Sequence, residues 1–138
     1  MVASGELRLG NLVLAPELWK DQYFHILELY AGECSISPDV QNQSRIVSYD
    51  SLEPIPVSIP LLVGFGFQIR EYGLNKVINY IEFRQGKHTF YLSDNLQPIK
   101  SPAQPIAITA QKVAYFHQLQ NLFFVITGDE LSIFASQR

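Results

Sequence analysis

Apolar positions are densest and most regularly spaced in residues 112–134, KVAYFHQLQNLFFVITGDELSIF. At about 100° per residue, Tyr115, Phe116, Leu119, Leu122, Phe123 and Ile126 fall on one side of a helix. The pattern starts that helix near Thr109 or Gln111. Gly128 stands where a left-handed cap would end it, because a residue without Cβ takes positive φ at little cost. Beyond the glycine, Leu131 and Ile133 alternate with Glu130 and Ser132, which predicts a short half-buried strand.

Upstream the spacing is mostly that of strands. Leu7 and Leu9 alternate about Arg8, Gly10-Asn11 interrupts, and Leu12-Val13-Leu14 resumes as far as Pro16, an opening common in SH3-like barrels. Residues 15–22 (APELWKDQ) read as a loop that carries Trp19 at the rim. Residues 23–30 (YFHILELY) are apolar on both faces, which predicts a strand covered on both sides or, since periodicity does not separate the two, a short helix. After Gly32, Cys34 and Ile36 continue as a paired strand, residues 37–44 are loop-like, and residues 45–49 alternate again.

Two proline-rich connectors punctuate the chain, residues 53–60 (EPIPVSIP) and 96–105 (LQPIKSPAQP). Proline fixes φ and removes a donor, so both are extended and neither is a central strand. Ser58 is placed to cap a short helix with Pro60 in its first turn. Gly64 and Gly66 end that helix, and Phe65 and Phe67 turn back toward the core. A hairpin follows in residues 77–92, with Gln85-Gly86 as its two-residue turn. That turn pairs Phe83 with His88, Ile81 with Phe90 and Tyr80 with Tyr91, and puts Arg84 and Lys87 at its flanks. Residues 106–109 add a last strand.

The fold class is therefore α+β: a small antiparallel, partly barrel-like (SH3-like) β assembly with a short middle helix and one main C-terminal helix. A single domain, 1–138, is expected. Its parts are an N-terminal β unit (6–52), a helix plus hairpin (53–97) and a C-terminal helix plus strand (105–134).

Composition narrows the function classes. Nine Phe, seven Tyr and one Trp supply core area, while charged residues make up only 17 %. A surface so poor in charge favours a protein partner or a homo-oligomer. The net charge of −3 argues against nucleic acid, whose partners concentrate positive charge. No apolar run reaches the length of a membrane span, and the start lacks the basic and apolar regions of a signal peptide. A cytoplasmic chain is expected. Cys34 is the one cysteine, so neither a disulfide framework nor a cysteine metal knuckle is implied.

Candidate chemistry is sparse. His25, His88 and His117 show no metal-ligand spacing except His25 with Glu28, and on a strand those two point to opposite faces. No nucleophile elbow occurs, Asp129-Glu130 reads as a solvated turn, and Gly64-Phe65-Gly66 lacks the lysine of a phosphate loop. Catalytic, metal and cofactor sites are all expected to be absent; an enzyme would need His25, His117 and Asp50 to converge. A nucleic-acid reading would use Arg70, Lys76, Arg84 and Lys87 with Tyr72, Tyr80 and Tyr91, cations and aromatics interleaved on a β surface.

The back of the terminal helix is the odd feature. His117, Gln118, Gln120 and Asn121 are polar yet uncharged, and Phe124 projects among them. A water-facing helix side carries Lys and Glu instead. Two readings stand: cover by the chain's own loops, or a contact surface made by His117, Gln120, Asn121 and Phe124 together with Trp19.

Three stretches carry a resemblance: residues 6–13 (ELRLGNLV), 52–67 (LEPIPVSIPLLVGFGF) and 116–131 (FHQLQNLFFVITGDEL). Together they resemble an uncharacterised family of short bacterial proteins found with phage and other mobile elements. Its members show an LRxGN start, a PIPLT…LL..FGF middle and a VHQLQNLYFALTG end, of which the last is the specific motif. This chain departs at Ser58-Ile59-Pro60 and at Phe116, where the family tends to have Val. The resemblance implies a self-contained domain and nothing catalytic; the leading reading of the chain is a non-catalytic accessory or protein-interaction domain of a phage-like or mobile-element-derived system.

Overall fold

The computed structural model describes residues 4–18, 22–38, 44–109 and 112–131. The architecture is α+β, with two four-stranded antiparallel sheets and two α-helices. No closed barrel is found among the described residues. The backbone clusters into two compact units: the chain up to Pro56 with Tyr115–Leu122, and Val57–Ala114 with the chain from Phe123 onward. The three segments marked by the proline connectors are thus regrouped into two. No described helix is long and apolar enough to cross a membrane.

In the first unit, β1 (Leu12–Leu14), β2 (Tyr23–Leu29), β3 (Glu33–Ser37) and β4 (Arg45–Ser48) form a meander in sequence order. Alternation selects its core: Val13 opposes Phe24, Ile26 opposes Ile36, and Cys34 opposes Val47. Leu7, Ala15 and Leu52 complete that cluster. β2 is less covered than its sequence suggests. Phe24 and Ile26 are buried, Tyr23, His25 and Leu27 half-buried, and Leu29 exposed. Burial raises the pKa of the Cys34 thiol, with a smaller push from Glu33, so it stays protonated and inert.

The second unit begins with α1 (Ile59–Gly64). Ser58 Oγ accepts from the Leu61 N–H at 3.2 Å and Pro60 lies in the first turn, as the sequence predicts. Phe65 and Phe67 do turn inward and are buried. The sheet is β5 (Gln68–Tyr72), β6 (Ile78–Gln85), β7 (His88–Ser93) and β8 (Pro98–Ile99), again in order. β5 is absent from the sequence reading. Residues 106–109 form no strand, only a bridge from Ala107 to Ile99.

The hairpin register also differs. The turn is Gly86-Lys87, one residue further on, so Phe83 faces Phe90, Ile81 faces Leu92 and Tyr80 faces Ser93. Gly86 at φ 59° followed by a residue with negative φ suits a type II′ turn, whose twist matches the strands. Pairs move by two residues, which preserves faces, so Ile81 and Phe90 stay on the core side. Arg84 now opposes Thr89, and the like-charge pair with Lys87 does not form.

Helix α2 runs from Phe116 to Thr127, starting later than predicted because Tyr115 is held in a bridge to Pro56. Gly128 N–H closes it on Phe124 O at 2.8 Å. Phe116, Leu119 and Phe123 are buried, whereas Tyr115 and Ile126 are exposed. Leu131 is buried outside any strand, and Ile133 lies outside the described residues.

Candidate functional site

The polar side of α2 is taken up within the first unit. Gln120 Oε1 accepts from Leu12 N–H at 2.8 Å, and its Nε2 donates to Gly10 O at 3.3 Å. Asn121 Oδ1 accepts from both Arg8 Nη1 and Asn11 Nδ2 at 2.8 Å, while its Nδ2 donates to Glu6 O at 2.7 Å. Uncharged amides stand here because they close the backbone of an outer strand, where lysine or glutamate would bury a charge. Gln120→Ala should cost about 1–3 kcal/mol, the usual penalty of an orphaned buried donor at Leu12. Urea denaturation would measure it as a lower midpoint at unchanged slope.

His117 is only 1 % exposed. Its ring lies parallel to Tyr115 at 6.1 Å, and Nε2 meets Glu6 Oε1 at 3.2 Å. Nδ1 is buried with no hydrogen-bond partner, and Nε2 faces the acceptor-only Glu6 carboxylate, so an Nε2–H donates to it. Hydrogen bonds from His117 and then Gln118 lower the Glu6 pKa. A lowered folded-state pKa adds stability above the usual carboxylate range, lost as pH falls through the lowered value. Denaturation midpoints of wild type and Glu6→Gln should therefore differ near neutrality and converge in acid.

Of the residues expected to make a contact surface, His117 and Gln120 are buried and Asn121 is bonded to the N-terminal segment, while Phe124 is 38 % exposed. Trp19 lies outside the described residues. Asp129-Glu130 is no free turn either: Asp129 Oδ2 meets His88 Nε2 at 2.8 Å, and Gln85 Nε2 donates to Glu130 O at 2.7 Å. Among the described residues no three of His, Cys, Asp and Glu gather closely enough to hold a metal ion. His25, Asp50 and His117 thus form no such group.

A different site stands on the second sheet. Strand alternation puts Gln68, Arg70 and Tyr72 of β5 on one face with Tyr80, Glu82 and Arg84 of β6, Arg70 opposing Tyr80 and Gln68 opposing Glu82. The Glu82 side chain is only 5 % exposed, and its Oε2 accepts from Nε of both Arg70 and Arg84 at 3.0 Å. Arg70 Nη2 also bonds Gln68 Oε1. The guanidiniums lie outward, 47 % and 70 % exposed. Gly66, Gln68, Arg70, Tyr80, Glu82 and Arg84 line a polar concavity of about 510 Å³.

Two cations over one carboxylate leave a local positive excess on a mildly acidic chain. Glu82 fixes both arginines through Nε, so the Arg84 terminal nitrogens form a pre-oriented fork for an oxyanion. The sequence reading named Arg70, Tyr72, Tyr80, Arg84 and Tyr91 but omitted Glu82, although the spacing of Tyr80, Glu82 and Arg84 marks one strand face. Lys76 and Lys87 fall in the turns instead. Tyr80 is buried, its ring edge-on to Tyr91 at 5.9 Å, and offers no open stacking surface. The chain matches no family model, no curated protein and no solved structure.

Proposed function

We propose that this protein is a non-catalytic, cytoplasmic interaction domain that binds an acidic group of a protein partner at the Arg70–Glu82–Arg84 concavity. An accessory role in phage or mobile-element systems is what the sequence resemblance adds. The observation that carries the reading is the buried Glu82 carboxylate holding two outward-facing arginines at 3.0 Å. A carboxylate bridged this way orders two long side chains before a ligand arrives, which lowers the entropy cost of binding.

A nucleic-acid module built on the same face is the second reading, since Arg70, Tyr72, Tyr80 and Arg84 do share it. It is less well supported, because Tyr80 is buried and Glu82 sits where a phosphate chain would run.

Titration with succinate, followed through the arginine Nε–H resonances, tests the proposal. Arg70 and Arg84 should shift together while Arg45 on β4 stays put. Uniform shifts at all three would sink it. An oligonucleotide that binds with a steep salt dependence would favour the second reading.

A further inference from the structure

The arginine concavity adjoins an open strand edge. β5 is an outer strand, and all five of its residues are exposed. Two of the other outer strands, β8 and β1, are protected, whereas β4, outer as well, belongs to the first sheet and not to the one that carries the arginines. β8 is two residues long, contains Pro98 and is bridged at Ile99 to Ala107. β1 is closed by Glu53, through paired bonds with Leu14 at 2.9 and 2.8 Å, and by Gln120 at Leu12. β5 carries two charges, Arg70 and Glu71, but no proline and no bulge in its pairing with β6, and among the described residues no backbone beyond β6 bonds to it. Edges left in this state are templates for another strand.

Resting on the reading of the concavity as the binding site, we propose that β5 accepts an extended segment of a partner protein as a fifth strand. Side chains of the added strand that share the face of Gln68, Arg70 and Tyr72 lie over the arginines, so they are acidic. On the opposite face the side chain beside Ile69, which is 58 % exposed, is apolar, and the one beside Glu71 is uncharged. The occupant is therefore a segment of alternating acidic and apolar residues, its affinity from main-chain bonds and its register from the guanidiniums. A second copy of this chain fits poorly. Antiparallel pairing of β5 with itself about Arg70 sets arginine against arginine and about Glu71 glutamate against glutamate, both unfavourable; pairing about Ile69 avoids this but leaves both arginines without an acidic partner.

The probe is an acetylated, amidated peptide alternating glutamate and valine, compared with the same peptide N-methylated at alternate residues. The unmethylated peptide should bind saturably, protect the amides of residues 68–72 from hydrogen exchange, and bind about tenfold more weakly to Arg84→Gln, as for loss of one charge-assisted pair. N-methylation should abolish binding. The exchange readout uses the wild-type protein, so it does not depend on how a variant folds. Equal binding of the methylated peptide, or unprotected β5 amides, overturns strand addition while leaving the concavity as an anion site. Failure of both peptides and of succinate overturns both readings. Self-association that protects β5 without peptide makes a second copy the occupant and overturns the proposal.

Discussion

Phe123→Ala should cost about 3–5 kcal/mol, the range for removing an aromatic ring from a closed core. Phe123 is 0 % exposed and sits edge-on to Phe83 at 6.1 Å, Phe90 at 6.0 Å and His88 at 6.4 Å. Phe67 stacks on Phe83 at 4.6 Å behind it, so rigid, packed rings line that side of the cavity that the substitution would leave. Phe124→Ala, one position on, should cost a fraction of that, since its ring is partly in solvent. Guanidinium unfolding of the two variants side by side checks the contrast. Equal losses would mean that the helix is rotated from the orientation described.

Gly73→Ala carries the second large effect. Gly73, in the turn from β5 to β6, has φ 111°, and a Cβ there would lie 2.3 Å from the carbonyl oxygen of Lys76. The obstacle is backbone, so no rotamer relieves it, and the conformation is strained for any L side chain. A cost of about 3 kcal/mol is expected. Because β5 is exposed along its length, the loss should appear first as faster hydrogen exchange at Gln68–Tyr72. Binding of the glutamate–valine peptide should vanish with it. Unchanged exchange at those amides would show that the turn relaxes without cost.

Much of the fold was legible wherever local chemistry dictates it. The Ser58 cap, the inward turn of Phe65 and Phe67 and the Gly128 stop all depend on neighbours in sequence, whereas the second proline-rich connector, expected to be extended, bends at residues 102–104 and holds Leu96 at φ 69°. What escaped depends on distant ones. β5 reads QIREY, a polar stretch with no buried position, so its strand character comes only from pairing with β6. The hairpin slipped because Gly86 fits two turn positions, and only packing distinguishes them. α2 starts at Phe116 because Pro56, far back in the chain, holds Tyr115. The amides of α2 were rightly singled out as unsuited to open water, but sequence alone left their cover open between the chain's own loops and a partner. Glu82 was hidden for the opposite reason: glutamate in an alternating strand reads as solvent-facing until two arginines are seen to enclose it.

The bonds from Gln120 and Asn121 back to Leu12 and Asn11 join residues 108 and 110 positions apart. All four strands of the first unit are made by residue 48 and Glu53 closes Leu14 soon after, yet the Leu12 N–H gains its acceptor only when α2 has been synthesised. On the ribosome the early sheet therefore waits with that end of β1 open while the second unit emerges. Closing so long a loop is slow compared with forming either hairpin. The last helix acts as a release step in folding, and nascent chains stalled before residue 116 should be the aggregation-prone species.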